Sequence, residues 1–294
     1  LTTSHGLNRE AFTAGDWGLF LAIGSIWGAS FLFIDIGLDA LRPGAITWLR
    51  IVLGAAAMGA IPAARRRIEP IDRPRVLALS LIWVAVPFTL FPLAQQHINS
   101  AVTGMLNGGM PLFTAVIASA LLGHLPGRAQ TTGILVGLAG VAAISLPSMS
   151  EGRSQALGVT LVLVAVMLYG LAVNIAAPIQ QRYGSLPVMS RMLAFGALWT
   201  APFGFYGLAG SRFAWAPAAA VTVLGVVGTG LAYFFMGNLV GRVGSTRASF
   251  ISYLIPLVAT VLGVAVRGDR ITAAESAGIA LVIAGALLAS RRER

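Results

Sequence analysis

Ten apolar stretches, most of them about twenty residues long, follow one another along the chain with only short polar connections between them. They run from Trp17 to Leu38, Gly44 to Ala64, Val76 to Leu93, Ser100 to Leu122 and Ala129 to Leu146, then from Ala156 to Ile179, Leu186 to Leu208, Ala216 to Leu239, Thr246 to Val266 and Thr272 to Ala289. A helix of roughly 20 apolar residues crosses a hydrocarbon core of about 30 Å, so the pattern predicts an all-α integral membrane protein of ten transmembrane helices. The composition agrees: 57% of the 294 residues are hydrophobic, 10% are charged and the mean hydropathy is +0.83. A water-soluble enzyme of this size needs far more polar surface, and the connections leave no room for a separate soluble domain.

The net charge of +10 would suggest nucleic acid in a soluble chain. Here all 20 basic residues are Arg, most of them in short loops beside apolar runs, where retention of positive charge on the cytoplasmic side orients membrane helices. With the N-terminus inside, thirteen Arg fall on the cytoplasmic side and five on the other, while Arg50 and Arg191 lie within spans. Nucleic acid is therefore not an expected partner. Both termini are expected in the cytoplasm. The polar stretch 1–16 reads as a trimmed or tag-derived tail, and a cleavable signal peptide is not expected because the first apolar run is already of full spanning length.

The end of each half repeats in the other at a shift of 145 residues: Ser100 falls on Ser245, Pro111 on Pro256, Gly123 on Gly268, Gly133 on Gly278 and Gly140 on Gly285. Nearer the start of each half the shift contracts slightly, matching Trp27-Gly28 with Tyr169-Gly170 and Arg50 with Arg191. Each half holds five spans, an odd number, so the second enters the membrane upside down. The loops carry the corresponding charge reversal: Arg65, Arg66, Arg67, Arg73 and Arg75 follow the second span, whereas only Arg212 follows the seventh. The predicted organisation is a cytoplasmic tail (1–16), a first five-helix repeat (17–146), a periplasmic linker (147–155), a second, inverted repeat (156–290) and a cytoplasmic C-terminus (291–294).

Trp27-Gly28 in the first span, an Arg in the second, a small-residue-rich fourth span around a central Pro and the Gly-x6-Gly run in the fifth together resemble the drug/metabolite transporter superfamily, EamA-type, and most of all its bacterial amino-acid and metabolite exporters. The resemblance covers nearly the whole chain. It implies a secondary transporter, not an enzyme, exporting small organic solutes by alternating access, with amino acids as the leading substrates. Where such proteins carry Gly-Glu after the fourth and ninth spans, this chain has Gly123-His124 and Gly268-Asp269.

Candidate chemistry is sparse. With no Cys, three scattered His and no Lys, the chain has no disulfide, thiolate metal site or P-loop, so neither a cofactor nor direct ATP drive is expected. Polar and aromatic residues inside spans are the substrate-site candidates: Trp27 and Ser30 in the first, Phe88 and Thr89 in the third, Asn107 in the fourth, Tyr169 and Asn174 in the sixth, Tyr233 in the eighth and Ser252 in the ninth. None carries a formal charge, which favours a neutral or zwitterionic solute. Gly108, Gly109, Pro111 and Pro256 are candidate hinges, because a Pro in mid-span frees the carbonyl four residues earlier. Arg50, roughly 9 Å below the outer end of its span at 1.5 Å per residue, is expected to pair with Asp35, the alternatives being a snorkelling side chain and a role toward substrate or protons. Arg191 has Gln180 and Gln181 nearby as acceptors. His97 reads as a solvated loop residue, and Thr272 with Glu275 as a capping box. Two rivals remain open: a passive channel would need a continuous polar stripe, and a membrane enzyme would need a convergent acid/base pair. Because both halves lie in one chain, a monomer suffices.

Overall fold

The computed structural model describes residues 13–123, 127–150, 152–243 and 245–289, and these are helical almost throughout. In chain order the spans are α1 (Ala14–Leu38), α2 (Pro43–Gly59), α3 (Pro70–Ala94), α4 (Ser100–Leu121), α5 (Arg128–Ser150), α6 (Arg153–Tyr183), α7 (Ser185–Ala209), α8 (Trp215–Val243), α9 (Ile251–Arg267) and α10 (Ala273–Ala289). Seven are long and apolar enough to cross a membrane; α2, α9 and α10 are shorter apolar helices. The chain is thus an all-α, multi-span membrane protein. The predicted tail falls largely on 1–12, and that part, with His124 and the C-terminal 290–294, lies outside the described residues.

Local chemistry sets the helix ends. Thr13 and Asp16 form a reciprocal capping box at the start of α1, and Thr272 with Glu275 does the same before α10, the Thr272 amide donating to Glu275 Oε2 at 2.7 Å and the Glu275 amide to Thr272 Oγ1 at 3.2 Å. The apolar pattern carried the second span to Ala64, but α2 stops at Gly59 and Pro62 starts a 3-10 turn. Arg191 caps that turn, donating to the carbonyls of Ala64 at 2.6 Å and Arg65 at 3.1 Å rather than to Gln180 or Gln181. Gly123 and Gly268 take φ of 65° and 70° in the left-handed region, which ends α4 and α9 without the penalty a Cβ brings there.

Two spans are interrupted, the fourth beside its Pro and the ninth some residues ahead of it. In α4 the helix ends at Asn107, turns through Gly108-Gly109 and restarts at Met110, so Pro111 sits in the first turn of the second segment, a position that suits it. Before α9 a short turn of helix, Ser245–Ala248, ends ahead of Ile251, and Pro256 lies inside the helix that follows. The break in α4 meets α9 at its Pro: a Cβ on Gly108 would fall 3.0 Å from Pro256 Cγ.

The principal pairings are α5 with α10, α2 with α7, α1 with α9, α3 and α4 with α6, α1 and α2 with α8, α3 with α7 and α4 with α9. Glycine permits the closest of these. A Cβ on Gly140 would stand 2.6 Å from the Gly278 carbonyl oxygen, and one on Gly278 2.8 Å from that of Gly140; the Gly-x6-Gly runs therefore bring α5 and α10 together backbone to backbone. Outside this interior the surface is apolar. Leu135, Leu198, Phe205, Phe213, Trp215 and Val261 are each more than half exposed, an extent of exposed apolar surface that a water-soluble monomer avoids and lipid accommodates.

Candidate functional site

A cavity of about 350 Å³ opens at the middle of the bundle, where α1 to α4 and α6 to α9 converge. Of the sequence-predicted site residues, Trp27, Ser30, Phe88, Asn107, Tyr169, Tyr233 and Ser252 all line it. Two do not. The Thr89 hydroxyl turns back onto the Ala85 carbonyl at 2.7 Å, and Asn174 ties α6 to α4 by donating to the carbonyls of Thr114 at 3.1 Å and Gly170 at 2.8 Å.

Aromatic rings form one part of the wall. Trp27 meets Tyr233 edge to face with ring centroids 5.6 Å apart, and Phe91 bridges Phe31 at 5.5 Å and Tyr169 at 5.8 Å. Such offset and T-shaped contacts fix ring orientation beyond simple area burial. Trp83, Met110, Met189, Met236 and Ile255 add to the apolar lining. These residues escaped the sequence reading because an apolar side chain in an apolar span gives no sign of which way it faces. Asn107 contributes a buried Oδ1 that has no hydrogen-bond partner among the described residues.

The expected Asp35–Arg50 ion pair does not form. Asp35, in the last turn of α1, bonds Arg267 at the C-terminal end of α9, and Arg267 also donates to Asp39 at 2.8 and 3.1 Å. Asp35 thus faces α9 rather than α2. Arg50 points instead into the centre: its side chain is 8% exposed, its Nε donates to Thr229 Oγ1 at 3.1 Å, and its guanidinium carbon lies 3.9 Å from the centroid of the Phe88 ring. Thr229 belongs to a π-helical stretch of α8, Val226–Leu231, and its hydroxyl in turn donates to the Leu224 carbonyl at 3.1 Å. The equivalent stretch of α3, Ser80–Ala85, is π-helical as well. Such widened turns recur at functional sites and re-aim side chains in a way that helical spacing does not foretell.

The two ends of the cavity differ. Gln180, Ser185, Val240 and Ser249 line its extension toward the end of the bundle where α6 joins α7 and α8 joins α9. At the opposite end α1 and α9 are tied through Arg267, the Gln95 side chain donates to the Phe31 carbonyl at 3.0 Å, and Asp269 accepts from the Ser100 hydroxyl at 3.0 Å and the Ala101 amide at 3.1 Å. Asp269 thus serves the N-terminus of α4 as a cap. His97 stays in its turn, 2.7 Å from Ser154 Oγ.

A central, largely apolar cavity between helices, with a few polar groups and no cluster of metal-binding side chains among the described residues, suits reversible binding of a small solute. The profile of the EamA-like transporter family matches residues 16–146 and again residues 156–291. The chain belongs to the EamA-like transporter family. It is accordingly a secondary transporter of small metabolites, embedded in a lipid bilayer, and not an enzyme. It is similar to an uncharacterized transporter of Archaeoglobus fulgidus, 24% identical over 285 residues that cover 94% of this chain and 99% of that one. It also resembles a protein of Streptantibioticus cattleyicolor named "Probable terminal-alkyne amino-acid exporter", at 26% identity over 281 residues, covering 94% and 93% of the two chains. The inner membrane transporter YedA of Escherichia coli is 25% identical over 280 residues, covering 92% and 89%. One crystal structure matches the fold with a TM-score of 0.64 at 18% identity, over 95% of this chain and 97% of that chain.

Proposed function

We propose that this EamA-like transporter exports small neutral or zwitterionic metabolites, amino acids foremost, by alternating access around the central cavity. The observation that carries the reading is the cavity wall: aromatic rings, an amide and hydroxyls drawn from both halves of the chain enclose a space of amino-acid size. The exporter of S. cattleyicolor, whose name gives an amino acid as its cargo, lends the substrate class further support.

The halves act as inverted five-helix repeats, 17–146 and 156–290, joined by 147–155. Two matches of one family profile favour this organisation. So does the pairing of helices, which is kept when each helix of one half is exchanged for its counterpart in the other: α1 with α9 becomes α6 with α4, α3 with α6 becomes α8 with α1, and α2 with α8 becomes α7 with α3. Inverted repeats supply two pseudo-symmetric ways to close one cavity, one for each face. Among the described residues nine Arg (65, 66, 67, 73, 75, 128, 182, 242 and 247) belong to the end toward which the cavity extends, against five (42, 153, 212, 267 and 270) at the other. Positive charge is retained inside, so the conformation faces the cytoplasm, both termini are cytoplasmic, and one copy of the chain in the bacterial inner membrane completes the pathway.

Proteoliposome counterflow with labelled amino acids, with and without an imposed proton gradient, tests the reading. Accumulation of label driven by unlabelled amino acid on the other side is the expected result. Flux that is indifferent to amino acids and does not saturate would indicate a channel.

A further inference from the structure

The cavity contains a fixed positive charge with no counter-ion among the described residues. Arg50 lines the wall, more than nine-tenths buried. Each described carboxylate is engaged elsewhere: Asp16 with Arg242, Asp35 and Asp39 with Arg267, Glu69 and Asp72 with Arg182, Asp269 with Ser100 and Glu275 with Thr272. Thr229 takes only the Nε–H of Arg50, and the Phe88 face covers one side of the guanidinium plane. No acceptor for its Nη atoms is found among the described residues. A guanidinium remains charged under all ordinary conditions and presents a planar fork matched to a carboxylate. Inside a membrane such a group marks a substrate pathway when it faces a cavity and finds no protein partner.

A second observation comes from across the lining. Asn107, at the break of α4, holds a buried oxygen that accepts no hydrogen bond among the described residues. It needs a donor, and an ammonium supplies one. One wall of the cavity therefore lacks an anion and another lacks a donor, while the surfaces between them are aromatic.

We propose that Arg50 is the carboxylate anchor of the cavity, so that the transported solute is an amino or organic acid whose apolar remainder lies among Trp27, Phe91, Tyr169 and Tyr233. This rests on the transporter reading above and shifts its substrate range: the solute carries a carboxylate, so anionic acids join the zwitterions, and simple amines and uncharged solutes are poor substrates. Thr229 is a positioning residue, holding Nε so that the Nη edge is turned to the ligand.

The test measures binding to the full chain in detergent through the fluorescence of its tryptophans, two of which, Trp27 and Trp83, line the cavity. Two matched sets serve as probes: L-phenylalanine, 3-phenylpropionate and phenethylamine; L-leucine, 4-methylpentanoate and isopentylamine. The expected result is saturable binding of the amino acid and the acid in at least one set, with the amine weaker by at least about 30-fold, the loss that follows when one partner of a buried charge pair is removed. Arg50→Gln should abolish the distinction between acid and amine, and Arg50→Lys, which keeps the charge but not the fork, should fall between. If Arg50→Gln fails to fold, the comparison of acid with amine on the unaltered chain still decides. Amines binding as tightly as acids, binding of no acid in either set, or acid binding unchanged in Arg50→Gln would each overturn the anchor. Proteoliposomes separate the two readings: flux of an amine or a neutral solute but no acid leaves the transporter intact and removes the anchor, whereas Arg50-dependent binding of acids with no flux does the reverse.

Discussion

Removing the side-chain charge of Arg267 should release the end of the cavity that is now closed. Arg267 holds both Asp35 and Asp39, so that α9 is fastened to the last turn of α1. The side chains of Arg267 and Asp35 are 28% and 21% exposed and that of Asp39 is 52% exposed. Hydrogen bonds to charged groups contribute about 1.5–3 kcal/mol each where solvent is excluded, whereas exposed pairs contribute about 0.2–1 kcal/mol. Discounting for this partial exposure, the latch as a whole contributes on the order of 1.5–2 kcal/mol to the conformation in which it is closed. Loss of that amount from one of two access states shifts their ratio by roughly 10- to 30-fold. The assay is the reaction of a single cysteine, Ser30→Cys, with a membrane-impermeant thiol reagent added from one side at a time; the sequence contains no other cysteine to confuse the signal. In the Arg267→Gln background the rate from the Asp35 side should rise by about that factor, and Asp35→Asn should act in the same direction but less, because Asp39 remains. Rates within twofold of the parent from both sides would refute the argument, as would an equal rise when Arg182, at the opposite end, is replaced by Gln.

Trp27→Ala and Asn107→Ala should each lower counterflow by at least about tenfold while leaving the yield of folded, monodisperse protein near that of the parent, because both side chains border space as well as neighbours. Parental rates in both variants would mark them as packing residues. On the proposed inverted organisation, Pro111→Ala and Pro256→Ala, at matching positions of the sequence repeat, should shift cysteine accessibility toward opposite faces; a shift to the same face would dismiss the pair as hinges. Gly140→Val should lower the thermal midpoint in detergent by several degrees, because its Cβ alone would come within 2.6 Å of the Gly278 carbonyl; an unchanged midpoint would mean that α5 and α10 separate without cost.

Most of the helical framework could be read from the apolar pattern, because lipid enforces length and hydropathy directly: α1, α7 and α10 begin and end within three residues of the predicted limits. The internal repeat could be read for a similar reason, since glycines that permit backbone contact and end helices in the left-handed region must recur wherever the same contact recurs. Phe88 apart, the site was legible where a residue was chemically unusual for its span. Trp27, Asn107 and Tyr233 stood out, while Phe31, Phe91 and Met236 did not. The partner of Asp35 was hidden for a different reason. Arg267 lies 232 residues away in sequence, and nothing local distinguishes an arginine that orients a helix from one that fastens two together. Thr229 was hidden by the π-helical turn, whose extra residue rotates the side chain away from where ordinary spacing would put it.

The seam between α5 and α10 has a consequence for how the family can diversify. No residue of either helix borders the cavity, yet their backbones approach more closely than any intervening side chain would allow. Selection for a new cargo can therefore rewrite the rings and amides around the cavity and leave this seam untouched, while a fault in the seam cannot be repaired by anything near the cargo. The fifth and tenth helices behave as a chassis. A chimera that received both from a relative, together and never singly, would keep its own solute preference, and receiving only one would cost the protein its assembly before any question of preference arose.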